Sequence, residues 1–341
     1  MSAEPPAASR ETVAGFRLGL SRRALLLHLG VAVLLLALHW LLPPYHQGFI
    51  ARALVLGAYA TAYALAFGYG GLLSLGHAMF FGAGVYAAAL SLPASGLPLA
   101  FLLAVLAGGG MALLAGALAL RTAGVAFMIV SLMFSQVFHL FLLVNTEVTG
   151  GEEGFPLARE ARLVALGSLA FDPADPDTRY LAALALWTAT MLIVLFFVRS
   201  RHGRVLVAVR ENEERAKMLG HDTFRAKLLA LVLSGALSGA AGGAYALLFG
   251  YAGAGFASVQ YSILPLLWAL VGGASTVLGP LLGTLVMQYL VDGAGDVLRV
   301  WAPDWNVSTL GVVGLSLILI VLFFPRGLLG PLRERFPEWL P

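Results

Sequence analysis

The chain has 341 residues, 60% of them hydrophobic and only 11% charged, with a mean hydropathy of +0.87 and a formal charge of +3. An ordinary soluble domain is about 25% charged, so a water-soluble globule could not hide this much apolar surface, and lipid must solvate most of the chain. Cysteine is absent, which excludes a disulfide framework and thiolate metal sites, and the basic excess reads as Lys and Arg kept on one side of a membrane rather than as a nucleic-acid surface.

Apolar runs of about 18–25 residues mark membrane-spanning helices. They predict helices over 24–42, 49–67, 72–92, 97–120, 124–145, 180–198, 227–249, 258–273, 279–293 and 309–324. The fold class is an all-α polytopic membrane protein of about ten transmembrane helices, with some broken or re-entrant segments. The first run follows Arg22 and Arg23, is long enough to span, and ends in "PPYHQ" without a small-residue cleavage pattern, so it reads as a retained helix.

The third run opens with "GYGGLLSLGHAMFFGAGVYAAAL" (68–90), which holds six glycines, Ser74 and His77. Glycine at this density opposes a uniform helix, and an ionisable side chain at membrane depth is a functional candidate. Ser74, Gly76 and His77 are therefore candidate pathway or core residues. The bland alternative for His77 is a buried imidazole hydrogen-bonded to a neighbouring carbonyl.

Residues 146–179 are polar, bear Pro and Asp, and carry seven carboxylates against three arginines. In this loop Thr149, Gly150 and Gly151 form either a plain Gly-Gly turn or an external contact surface. Residues 199–226 are the other polar segment, dense in both charges. From Arg210 to Leu219 it lacks Pro and Gly and is rich in helix formers, with Gly220 as the stop. Val209, Ala216 and Leu219 give it a narrow apolar strip beside Met218, and Glu211–Arg215 and Glu213–Lys217 are spaced for i,i+4 ion pairs. It is either a solvated connector or a short helix presented to a soluble partner.

With the N-terminus inside, 16 of the 21 Lys and Arg fall on the cytoplasmic side, eight of them in 199–227. The positive-inside rule then predicts both termini inside and an even number of crossings. In "LSGALSGAAGGAY", Gly235, Gly239 and Gly243 recur every four residues, a helix-packing stripe in lipid. Gly272, Gly273, Gly279, Pro280 and Gly283 predict an irregular break, tolerated at membrane depth only when packed in protein or lining a cavity.

The missing motifs narrow the chemistry. The two lysines, Lys217 and Lys227, each follow alanine, so no Gly-Lys-Ser/Thr phosphate loop exists. No HExxH or GxSxG occurs, the seven histidines are isolated, and the spans hold no carboxylate for a proton or sodium relay apart from Asp292 at the edge of 279–293. Neither an enzyme nor a metal site is predicted, and uphill movement would draw energy from elsewhere.

"ENEERAKMLGHDTFRAKLLALVLSGALSGAAGG" (211–243) resembles the cytoplasmic coupling segment of ABC importer permeases, a Glu-Ala-Ala-x-x-x-Gly helix that enters a groove on the ATPase subunit. Glu214, Ala216 and Gly220 match that pattern, and Arg215 stands in place of its first alanine. "GLLSLGHAMFFGAGVYAAA", "TGGEEGFP" (149–156), "LVGGASTVLGPLLGTLV" (270–286) and "LFFPRGLLG" (322–330) resemble branched-chain amino acid ABC transporter permeases of the LivM type. The resemblance runs over roughly 50–330. It implies a transport subunit of the bacterial cytoplasmic membrane importing branched-chain or related small neutral amino acids by alternating access. Glu213, Glu214, Ala216 and Gly220 would couple to the ATPase, and Thr149, Gly150 and Gly151 would meet the binding protein.

The implied partners are a second, LivH-type permease, two cytoplasmic ATPases that hold ATP and Mg, and a periplasmic or extracytoplasmic substrate-binding protein. The chain itself would hold no cofactor. Urea and short-amide permeases share these motifs and are the alternative of the same architecture; a secondary transporter or channel is the alternative of a different class. The organisation implied is a cytoplasmic tail over 1–23, one permease domain over 24–328 and a cytoplasmic tail over 329–341.

Overall fold

A computed structural model describes residues 22–166, 169–301 and 326–335, with isolated positions at 311, 314, 318, 322 and 323. Most of the helix predicted over 309–324, residues 1–21 of the first tail and residues 336–341 of the second lie outside the described residues. So do the side chains of Asp292 and Arg299.

The helices are α1 (Arg22–Leu41), α2 (Pro44–Ala64), α3 (His77–Ala119), α4 (Val125–Val144), α5 (Thr146–Thr149), α6 (Arg159–Arg162), α7 (Pro176–Arg199), α8 (Arg201–Glu211), α9 (Glu213–Met218), α10 (Thr223–Phe249), α11 (Val259–Gly272), α12 (Gly279–Trp301) and α13 (Gly330–Arg335). Six of the described helices are long and apolar enough to cross a membrane: α1, α2 with its continuation to Tyr69, α3, α4, α7 and α10. The protein is an all-α polytopic membrane protein with two minor β ladders. One pairs β1 (Phe155–Pro156) with β4 (Tyr251–Ala252), the other β2 (Val164–Leu166) with β3 (Leu169–Phe171), both antiparallel. These ladders had no signal in the sequence, since two- and three-residue strands carry no periodicity.

Helix α3 runs for 43 residues, about 65 Å at 1.5 Å per residue and twice the ~30 Å of a hydrocarbon core. Its backbone resolves the conflict at Gly96, which has φ 71° and ψ 170° between Pro93 and Pro98. A left-handed φ of this kind suits glycine. The two arms fold back as a hairpin, and α10 records the fold. A Cβ built on Gly235 would meet Phe80 and Ala112; Gly239 is met by Gly84 and Gly108; one on Gly243 would meet Ala88 and Ala104. Each pair lies symmetrically about Gly96. The small-residue stripe of α10 thus sits in the groove between two antiparallel arms, with backbones close enough that packing replaces the hydrophobic effect.

Helices α2 and α10 are buried along most of their length and form the centre. By contrast α1, the second arm of α3 and α4 turn large aliphatic side chains outward, among them Val33, Leu34, Leu106, Leu114, Met133 and Val137. Such a surface belongs against lipid or another apolar subunit.

Two predicted boundaries shift. The helix expected to open at Leu72 begins at His77, because Gly70–Gly76 is unwound. The helix expected from Arg210 to Leu219 is broken at Asn212, whose extended backbone (φ −158°, ψ 101°) ends α8 while its side chain accepts from Arg215 N at 2.8 Å and opens α9. An asparagine that serves as an N-cap interrupts an otherwise helix-favouring composition, and it separates Glu211 from Arg215 as helical neighbours.

Candidate functional site

The centre of the molecule is an irregular stretch. After Ala64 the backbone of α2 widens into a single π-type turn over Leu65–Tyr69, a feature often found where helices are adapted for function. Gly71 then takes φ +67°, and the chain stays non-helical to Gly76. Backbone donors here need partners, and serines from neighbouring helices supply several. Ser131 Oγ on α4 accepts from Leu75 N at 3.1 Å, and Ser262 Oγ on α11 accepts from Ala78 N at 2.9 Å. Ser74 Oγ accepts locally from Gly76 N at 3.2 Å. Gly76 has no room for a side chain, since a Cβ there would lie 2.5 Å from Ser131 O. Ser74, Gly76 and His77 are thus brought together, all buried.

His77 is fully buried and stands between Tyr63 and Phe80, with ring centroids at 4.7 and 5.1 Å. Its Nε2 lies 2.9 Å from Ser234 Oγ, and that hydroxyl donates to Ala62 O on α2. Ser234 has one proton to give, so Nε2–H must be the donor to it. The partner is a hydroxyl on α10, not the neighbouring carbonyl expected. Three elements that the sequence separates by up to 172 residues meet at this one chain of hydrogen bonds.

At one end of the molecule the charged segment docks beneath this break. Arg210 of α8 donates to Gly68 O in the π-type turn and packs its side chain over Gly71. Gly68 itself is pressed against Ala274, in the turn between α11 and α12. That turn is packed, as a break at depth requires: a Cβ on Gly272 would lie 2.9 Å from Gly283 N.

The four predicted coupling residues separate into two groups. Glu213 faces inward, paired with Lys227 on α10 and with Lys217 at 3.5 Å, and accepts from Thr223 Oγ1 at 3.1 Å. Burial opposes its ionisation, but the Lys227 ammonium and these hydrogen bonds outweigh it and hold the carboxyl below its ordinary value. Ala216 is buried against the protein. Glu214 is exposed, bonded to Lys217 at 3.0 Å.

Gly220 has φ +83° and closes α9 with two reverse bonds, Gly220 N to Lys217 O at 2.9 Å and His221 N to Ala216 O at 3.1 Å. This is the glycine C-terminal motif that satisfies the last helical carbonyls. The expected apolar strip does not form: Val209 and Ala216 are buried, whereas Met218 and Leu219 are 84% and 72% exposed. Met218 and Leu219 stand exposed at the tip of α9, two and three positions after the buried Ala216, on a different side of the segment from the one the expected strip implied.

The opposite end gathers 145–175 and 250–258. Thr149 is buried, its hydroxyl donating to Asn145 O at 2.8 Å and accepting from Gly151 N at 3.2 Å, and Tyr86 OH donates to Thr149 O at 3.1 Å. Gly150, Gly151 and Gly154 have φ of 73°, 60° and 64°, so the segment is a tight turn held from within. Thr149 and Gly151 face inward, and the turn displays Glu152 and Glu153 instead. Arg162 anchors the rest of the loop, donating to Leu247 O at the carboxyl end of α10 at 3.2 Å; burial depresses its pKa.

Residues 46–322 match the family described as the branched-chain amino acid transport system / permease component. Similar curated proteins are the high-affinity branched-chain amino acid transport system permease proteins LivM of Escherichia coli and Salmonella typhimurium. They are 29% and 28% identical over 292 residues, 79% of this chain and 66% of each relative. A probable branched-chain amino acid transport permease protein LivM of Methanocaldococcus jannaschii is 27% identical over 210 residues, 58% of both chains. The match thus spans just under two thirds of the length of the two enterobacterial relatives. No solved structure matches the chain.

Proposed function

The chain belongs to the family of branched-chain amino acid transport permease components, and from that premise we propose that it is the membrane-spanning subunit of an ATP-driven importer for branched-chain or related small neutral amino acids. It is a multi-pass protein of the inner membrane. The observation that carries the reading is the family match over 46–322, and the relatives named above are permeases of branched-chain amino acid systems.

We propose ten crossings with both termini inside: α3 counts as two, and α11, α12 and the run over 309–324 complete the set. The charge distribution supports this orientation. The end bearing α8 and α9 would then be cytoplasmic, and the end bearing Glu152 and Glu153 external. A LivH-type permease, two ATPases with their ATP and Mg, and a soluble binding protein would complete the assembly. Two features support ATPase docking at α9: Glu214, Met218 and Leu219 stand exposed on a short helix closed by Gly220. Glu213, through Lys227, and Arg210, through Gly68, tie that segment to α10 and to the break. Glu213 and Ala216 would then serve coupling by holding α9 in place. At the external end, Thr149, Gly150 and Gly151 would shape the turn that offers Glu152 and Glu153 to the binding protein. Ser74, Gly76 and His77 would belong to the central wall and make no chemical change in the cargo.

The test is leucine uptake into proteoliposomes that carry the reconstituted assembly and its binding protein. Leucine should stimulate ATP hydrolysis and urea should not. The companion variant Gly220→Val places a β-branched residue at φ +83°, a strain of about 1–3 kcal/mol, and should abolish ATPase association while leaving membrane insertion intact. A Cβ at Gly220 meets open space, so the effect would come from the backbone rather than from a clash within the chain. Uptake by the purified chain alone, or a response to urea without leucine, would overturn the proposal.

A further inference from the structure

Two cavities meet at α13. The first, about 490 Å³, is lined by Arg210 of α8, Arg326 and Arg333, together with Ser275, Thr276 and backbone at Gly68 and Gly273. Three cations face it, from α8, the turn before α13 and α13 itself, and among the described residues no carboxylate lines it. Glu211 and Glu213 line a different cavity, one that Arg210 and Gly71 also border. Like charges gathered in one recess repel and favour a bound anion, and guanidinium forks beside the Ser275 hydroxyl suit a phosphate oxygen set.

The second is a groove of about 530 Å³ between α1, α12 and α13, lined by ten aliphatic side chains that include Leu34, Leu285 and Leu332. Residues one or two positions apart line one cavity and then the other: Thr276 and Leu278, Leu329 and Gly330, Leu332 and Arg333. A polar, cationic recess and an apolar trough share one rim, at the end of the molecule that carries the charged α8–α9 segment.

We propose that these cavities are the two halves of a site for one anionic phospholipid, its phosphate held by Arg210, Arg326 and Arg333 and an acyl chain lying in the leucine groove. Basic pockets between helices on the cytoplasmic side suit anionic headgroups, and the groove favours a lipid over free phosphate because it offers only aliphatic surface. The inference rests on the membrane reading and not on the identity of the cargo, so it stands or falls independently of the transport assay.

The test uses the full chain, delipidated in detergent, with lipid binding read by native mass spectrometry and thermal unfolding as a second readout. Phosphatidylglycerol, phosphatidylcholine and inorganic phosphate are the probes. One phosphatidylglycerol should be retained in preference to phosphatidylcholine, and Arg326→Gln and Arg333→Gln should each weaken it about five-fold, the worth of one basic side chain at an anionic headgroup. Arg225→Gln, at an exposed position outside both cavities, should change nothing. Leu34→Trp, at a position 65% exposed, should weaken phosphatidylglycerol without altering any protection by inorganic phosphate. Equal retention of the two lipids, or retention insensitive to both arginine variants, would overturn the site. Protection by inorganic phosphate equal to that by the lipid, with Leu34→Trp silent, would reduce it to a free-phosphate site and overturn the lipid.

Discussion

Ser234 holds more of the centre than its size suggests. Its single proton goes to Ala62 O, so it accepts from His77 Nε2–H, and Nδ1 of His77 is left buried without a hydrogen-bond partner. An orphaned buried polar atom costs about 1–3 kcal/mol, whereas removing both partners of a buried pair is nearly neutral. Ser234→Ala should therefore destabilise the chain by about 1–3 kcal/mol, because it strands the second ring nitrogen as well. His77→Phe keeps a ring between Tyr63 and Phe80 and removes the polar atoms, so it should shift unfolding by less. In the His77→Phe background, Ser234→Ala should cost less than it does alone. Thermal unfolding of the four proteins in detergent checks this, and strictly additive effects would show that the pair is not coupled. His77 stood out in the sequence as an imidazole in an apolar run, but Ser234 did not. The two lie 157 residues apart, and a serine within a run of small residues looks like packing until another helix is laid against it.

At the level of elements, the α3 hairpin and α10 form a three-helix layer whose contacts are mostly glycine and alanine. The four-residue spacing of Gly235, Gly239 and Gly243 made a packing face legible; that it enters a groove between two arms was not, because nothing local to α10 names its partner. The groove makes adjacent glycines unequal. A Cβ on Gly108 would lie 2.6 Å from Gly239 Cα, a backbone atom that cannot swing aside, whereas one on Gly110 meets nothing within 4 Å. Gly108→Ala should thus destabilise the isolated chain by about 1–3 kcal/mol through overpacking. Gly110→Ala should be neutral or stabilising, by up to about 1 kcal/mol of helix propensity. Unfolding in detergent reads both, and equal losses would mean that the arms do not approach α10 as described. The same dependence on neighbours explains why two of the predicted site residues are buried. Ala216 and Thr149 match motif positions, yet α9 buries Ala216 against the protein and Tyr86 covers Thr149. Composition describes a helix or a turn but not which side of it another element will occupy.

For the whole molecule, apolar runs were enough to place nearly every long helix, since lipid demands length and continuity from any span. Breaks were harder to read, because a glycine can end a helix, line a turn or admit a neighbour. The hairpin at Gly96 decides the count and direction of every later crossing, and the absence of cysteine from the natural chain makes it directly testable. Single cysteines at Ala94, Glu152, Ala123 and Glu214, all exposed positions, can be probed in sealed right-side-out vesicles with a membrane-impermeant maleimide. If α3 folds back at Gly96, Ala94→Cys and Glu152→Cys should label from outside, whereas Ala123→Cys and Glu214→Cys should label only after permeabilisation. A continuous α3 would instead bury Ala94 near the bilayer midplane, so that Ala94→Cys stays unlabelled on both sides, and would carry Ala123 to the external face. The two outcomes exclude each other. With the hairpin and the N-terminus inside, the positive residues of 199–227, the exposed tip of α9 and the arginine recess at α13 would all share the cytoplasmic face; without it, α9 would be separated from any ATPase.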